Sequence, residues 1–277
     1  MLVFAYDGSL NGDWVAHYAV RFAANLSPRR LRLVHVRDAV PVADLDERLL
    51  RIADECRVLG VELETELVAR AGRAVADVLL ELVPARATLV AGTRARPRNL
   101  AYLRGTVPAA LLAAGRFSVI ALRVVHPGVL GQPDRVLVPF SGRPSPAASA
   151  LVPLGLLAGD LHHLHVLFVR AVSRLRYRVL TSERVERLVA EGRAYLGPIE
   201  AALRDGLAPH RIELDSTVVV SDDAPKEILL HAARVRARLI CLGASARSLP
   251  QRLVYGNPIE QILREALSDV AIYRSVP

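Results

Sequence analysis

The chain has 277 residues, 52% of them apolar, which is ample for two buried cores of ordinary domain size. No apolar run approaches the ~20 residues a membrane helix requires, and the N-terminus has no basic region or cleavage site of a secretory signal, so a cytoplasmic location is expected. The net charge of +8 comes almost wholly from arginine, because Lys226 is the only lysine. The arginines are scattered among acids (Asp46-Glu47-Arg48, Glu183-Arg184-Val185-Glu186-Arg187) and aromatic residues make up only 5%. A basic total without a basic stripe or stacking platforms argues against direct nucleic-acid binding.

In chain order, Leu2–Tyr6 predicts a buried strand that ends at Asp7-Gly8-Ser9. Ser9 or Asn11 can then cap a helix carrying Val15, Ala19, Phe22 and Leu26 at helical spacing. A strand over Leu31–Val36, a helix over Leu45–Leu59 and an alternating strand over Val61–Val68 follow. Gly72 opens a helix through Val75, Val78, Leu79 and Leu82, which Pro84 stops. Strand Thr88–Ala91, helix Val107–Ala114 and strand Ser118–Val124 complete a first domain over residues 1–126.

The Pro- and Gly-rich stretch Val125–Asp134 predicts a linker, and the same order recurs over residues 134–277. It runs strand Val136–Phe140, helix Ala147–Leu157, strand Leu164–Val169, long helix Ser182–Leu203 and strand Ile212–Val219. Helix Lys226–Val235, strand Leu239–Leu242, helix Ile259–Leu267 and strand Val270–Tyr273 end it. Continuous apolar strands alternating with helices predict an α/β class: two tandem doubly wound, five-stranded parallel sheets covered on both faces. The two cysteines, Cys56 and Cys241, sit inside apolar patterns in different halves and read as reduced core residues.

One loop pattern appears in both halves. Gly92-Thr93-Arg94-Ala95-Arg96 leads to Gly105-Thr106, and Gly243-Ala244-Ser245-Ala246-Arg247 leads to Gly256-Asn257, the last glycine following the first by thirteen positions in each. A strand that leaves through glycine into a helix start presents free N–H groups and a positive dipole end, the components of an anion site. Ligands of open α/β sheets bind beyond the carboxyl ends of the strands where strand order reverses, and there Asp7 can meet the Gly92 loop. Other chemistries are excluded. There is no Gly-Lys-Ser/Thr of a Walker loop and no Gly-x-Gly-x-x-Gly after either first strand. Ser141-Gly142-Arg143 lacks the second Gly and the Asp of a pyrophosphatase loop. His163 and His165 share a strand face with no nearby carboxylate or cysteine, so no metal site is expected. No Ser–His–Asp or Cys–His pairing is suggested, and no catalytic residue is assigned.

On Val3-Phe4-Ala5-Tyr6-Asp7-Gly8-Ser9, the Gly92–Thr106 loop and the five-strand order, the chain resembles the universal stress protein family in its tandem two-domain form. Nucleotide-binding members carry Gly, two residues, Gly, nine residues, Gly, then Ser or Thr, and bind ATP or AMP. The resemblance implies Asp7 and Val36 beside the base, Gly92 and Arg94 in the loop, and Gly105, Thr106 and Val107 at the phosphates. Any metal would be Mg²⁺ accompanying a nucleotide. Ala95 stands where the family has its second Gly. A methyl at a position needing positive φ or close phosphate approach costs ~1–2 kcal/mol, roughly ten- to thirty-fold in affinity. The first site is therefore expected to be weakened, not abolished.

The second copy departs further: Ala246 replaces the middle Gly, Ser141 the Asp and Asn257 the Ser/Thr, with Pro258 next. Its set of Ser141, Val169, Gly243, Ala246, Gly256 and Asn257 is expected to be a degenerate site. The resemblance also implies pairing of fifth strands, Ser118–Val124 with Val270–Arg274, into an intramolecular pseudo-dimer, with homodimerisation and protein partners left open. The expected function is a non-enzymatic stress-response sensor or regulator that binds ATP or AMP weakly in the first domain. The alternative is a nucleotide-free protein–protein interaction module of the same fold.

Overall fold

The computed structural model describes residues 1–37, 43–93, 102–103, 105–127, 132–141, 147–244 and 257–276. They divide into two compact units: Met1–Gln132 with Ala244 and the stretch from Ala271 onward, and Pro133–Gly243 with residues 257–270.

In the first unit the elements are β1 (Leu2–Tyr6), α1 (Leu10–Ala24), β2 (Arg30–Arg37), α2 (Leu45–Val58), β3 (Glu62–Ala69), α3 (Val75–Leu82), β4 (Thr88–Gly92), α4 (Val107–Ala114) and β5 (Ser118–Arg123). Their strands lie in the order β3-β2-β1-β4-β5, and every pairing is parallel. Chain order turns one way from β1 to β2 and the other way from β1 to β4, so the switch point lies between β1 and β4. The central strands are apolar along their length because helices cover both faces; Leu2, Val3, Phe4, Leu89 and Val90 have no exposed surface. β3 differs. It ends the row, alternates between half-buried and exposed residues, and is held by Arg30–Glu62 and Arg32–Glu66 ion pairs to β2. Charge on an outer strand discourages pairing with a foreign strand.

Local capping explains where helices begin. Ser9 is the N-cap of α1, in extended conformation, its Oγ accepting from the Gly12 N–H at 3.1 Å. Of the two capping residues the sequence offered, Ser9 is the one used. At the other end of the chain, Arg274 donates from Nη1 to the carbonyls of Leu112 (2.5 Å) and Ala113 (2.9 Å). These are orphan acceptors at the carboxyl end of α4, where a cation also meets the negative end of the helix dipole.

The second unit runs β6 (Arg135–Ser141), α5 (Ala147–Leu157), β7 (His163–Ala171), α6 (Arg174–Tyr177), α7 (Ser182–Leu207), β8 (Glu213–Ser221), α8 (Ala224–Arg234), β9 (Leu239–Gly243) and α9 (Pro258–Glu265); β10 (Asp269–Arg274) starts within it. β6 pairs with β7 and β9, and β7 with β8, all parallel. Both α5 and α7 continue through an internal proline, Pro153 and Pro198; in α7 the apolar stripe buried by Leu188, Leu196, Ile199, Leu203 and Leu207 outweighs one lost backbone bond. α6 was not foreseen; it is a single turn capped by Ser173.

Candidate functional site

The switch point of the first unit brings together residues distant in sequence. β1 pairs with β4 up to Ala5 opposite Ala91, so Asp7 and Gly92 leave neighbouring strand ends. On the other side Tyr6 is level with His35, which puts Asp7 and Val36 one residue beyond that pair. Asp7 is exposed, and its Oδ1 accepts from the Ser9 N–H (3.0 Å) and Ser9 hydroxyl (2.6 Å). This closes an Asx-type turn that delivers the chain into α1. Buried His35 has Nδ1 2.9 Å from the Tyr6 carbonyl oxygen. A carbonyl only accepts, so Nδ1 carries the proton there.

Beneath this edge lies a charged network that no sequence motif announces. The Tyr6 hydroxyl donates to Asp13 Oδ1 at 2.5 Å, and Arg48 Nη1 reaches the other carboxylate oxygen. Burial, then the hydrogen bond to Asp13, pushes the Tyr6 phenol well above its ordinary value. The network ties β1, α1 and α2 together below Asp7. The residues come from three elements with no common spacing, so no local motif could have found them.

Gly92 serves packing. A Cβ there would fall 2.8 Å from Asn11 Nδ2 and 3.2 Å from Val15 Cγ2, so the missing side chain lets α1 lie against the end of β4. Thr93 is buried; its N–H donates to Leu122 and its hydroxyl to Tyr102. Gly105 has φ 64°, a left-handed conformation a side chain would strain. Thr106 caps α4: its Oγ1 accepts from the Ala109 N–H at 3.4 Å and donates to the Leu103 carbonyl at 2.8 Å. Pro108 lacks an N–H, and the Ala110 N–H bonds to the Thr106 carbonyl. In the first turn of α4, Val107 is the position left to offer a backbone donor outward. Arg94 and Ala95 lie outside the described residues.

The matching turn of the second unit differs at that place. Asn257 caps α9, its side chain accepting from the Ile259 N–H at 2.9 Å, and the first helical residue is Pro258. Proline has no N–H, so the donor Val107 supplies in α4 has no counterpart in α9. Val169, in β7, is fully buried, whereas Gly243 ends β9 exposed. Ser141 closes β6, and Ala246 and Gly256 lie outside the described residues.

The histidines of β7 do meet acids, supplied by the next strand. His163 Nδ1 lies 2.9 Å from Glu213 Oε2, and His165 is level with Asp215. The His165 ring stacks against His231 of α8, with centroids 6.4 Å apart. Among the described residues no three His, Cys, Asp or Glu side chains are grouped to hold a metal ion.

The sequence profile of the universal stress protein family matches residues 133–274. The chain belongs to the universal stress protein family. No curated protein matches it. Among solved structures, a universal stress protein from Archaeoglobus fulgidus DSM 4304 is similar in fold, at 16% identity and a TM-score of 0.58, with 98% of this chain and 95% of that one covered. A candidate universal stress protein from Pseudomonas aeruginosa UCBPP-PA14 matches at 17% identity and 0.58, covering 98% and 92%. The cytoplasmic domain of a prokaryotic cation chloride cotransporter has the same fold at 10% identity and 0.55, covering 99% and 95%. This universal stress protein thus carries the α/β fold its sequence predicts, and membership makes it a stress-response protein. Among its described residues no helix is long and apolar enough to cross a membrane.

Proposed function

We propose that the first unit of this universal stress protein binds an adenine nucleotide, ATP or AMP, weakly, and that occupancy makes the protein a cytoplasmic sensor or regulator. The observation that carries the reading is the contrast between Val107 in α4 and Pro258 in α9: one helix start keeps an outward backbone donor where the other has none. Asp7 and Val36 at adjoining strand ends offer a carboxylate and an apolar surface to the base. Gly105 and Val107 offer N–H groups to the phosphates, whose charge an accompanying Mg²⁺ would reduce. In this reading the second unit is structural, and the protein acts by binding, without turnover.

The test is extraction of purified protein for copurified nucleotide, followed by calorimetry with ATP and AMP. Binding that weakens in Asp7→Ala supports the proposal; no heat at millimolar nucleotide overturns it. A second reading, a nucleotide-free interaction module, draws on the structural duties of Gly92 and Thr106, which account for both residues without a ligand. It requires Asp7→Ala to leave partner capture and stress tolerance unchanged.

A further inference from the structure

The exit of β7 in the second unit leads into an arginine-rich stretch of the chain, Arg170 through Arg184. There a cavity of about 430 Å³ opens, lined by Arg170, Arg176 and Arg184 together with Val172, Leu180 and Leu188. The size is that of small-molecule pockets, which run from about 300 to 1,000 Å³. Arg184 and Leu188 lie one turn apart near the start of α7, so that helix turns one mixed face toward it, and Leu180 adds to the lining from just before the helix. Leu188 is buried and makes an apolar floor, while the three arginines are exposed around it.

Among the described residues no carboxylate lines the cavity. Arg170 has a long ion pair of 3.8 Å to Glu191, and among the described residues neither Arg176 nor Arg184 has an ion pair. Three guanidinium groups around one apolar floor make a positive, amphipathic surface that an anion with an apolar body complements. Guanidinium groups are the side chains best suited to the oxygens of a phosphate, which several of them can share. None of the described residues predicted for either nucleotide loop is among those lining this cavity.

We propose that this cavity is a second binding site, for a small phosphate monoester with an apolar body. The phosphate sits among Arg170, Arg176 and Arg184, and the organic part packs on Val172, Leu180 and Leu188. The site is independent of nucleotide binding in the first unit.

Calorimetry with phenyl phosphate, inorganic phosphate and benzyl alcohol tests it. Phenyl phosphate should bind in the millimolar range or tighter, inorganic phosphate about tenfold more weakly because the apolar floor goes unused, and benzyl alcohol not measurably. The exposed pair Arg176→Ser/Arg184→Ser should lower phenyl phosphate affinity about tenfold or more. The pair Arg174→Ser/Arg178→Ser, which removes the same charge outside the cavity, should leave it unchanged, as should Asp7→Ala. Absence of phenyl phosphate binding, equal affinity in the two double variants, or equal binding of benzyl alcohol overturns the proposal.

Discussion

Replacing Gly92 by alanine separates a packing glycine from a phosphate-loop glycine. The new methyl would sit 2.8 Å from Asn11 Nδ2 and 3.2 Å from Val15 Cγ2, against the 3.5–4.0 Å at which carbon contacts are most favourable. Asn11 is a half-exposed side chain in the first turn of α1 and can swing aside. Val15 is fully buried and stiff at χ1, so it must move with the helix backbone. Overpacking of this kind costs about 1–3 kcal/mol, and the mobile Asn11 places the expected loss at about 1–2 kcal/mol. Urea unfolding followed by circular dichroism should show a lower midpoint at unchanged slope. The double variant Gly92→Ala/Asn11→Ala should recover part of the loss, because the closer of the two contacts is gone. If Gly92→Ala unfolds like the parent protein yet loses nucleotide binding, the glycine serves the ligand and the packing argument is wrong.

Burial, then the neighbouring His231 of α8, lowers the pKa of His165, with Asp215 of β8 opposing. The unfolded chain therefore binds the proton more readily than the fold, so stability is kept above the ordinary value of 6.5 and lost as pH falls below it. Urea midpoints measured between pH 7.5 and 5 should decline, and His165→Gln should flatten the decline; equal slopes would refute this. Burial pushes the Cys56 thiol up to about 11 and the Cys241 thiol up to about 12. At pH 8 neither should react with a thiol-specific disulfide reagent until denaturant is added, and prompt native reaction would contradict the burial. Asp13→Asn should destabilise by about 1–3 kcal/mol in urea unfolding, since a half-buried Arg48 loses its charged partner; a neutral result would mean water already satisfies it.

Much of this fold was written in local signals. The spacing of Val15, Ala19 and Phe22 marked the buried face of α1, and Ser9 marked its start. Helices α5 and α7 could be read through Pro153 and Pro198 because their apolar period continued past the break. What escaped were relations across elements. The acids beside His163 and His165 come from Glu213 and Asp215 some fifty residues later, through strand register alone. The Tyr6–Asp13–Arg48 network needs α1 and α2 packed before its members meet. At the candidate site, Gly92 and Gly105 stand out in the loop pattern, whereas Asp7 and Val36 are implied beside the base by the family resemblance. The pattern could not tell that Gly92 makes room for α1 or that Thr106 spends its hydroxyl on the helix itself.

The guanidinium of Arg274 closes a loop of more than 160 residues when it reaches Leu112. Closing so long a loop costs chain entropy that the contacts holding it must offset. The amino-terminal unit thus depends on Arg274 of β10 for two acceptors at the end of its fourth helix. A fragment cut at Gln132 would leave the Leu112 and Ala113 carbonyls to water, and binding measured on it would describe a frayed helix instead of the working protein.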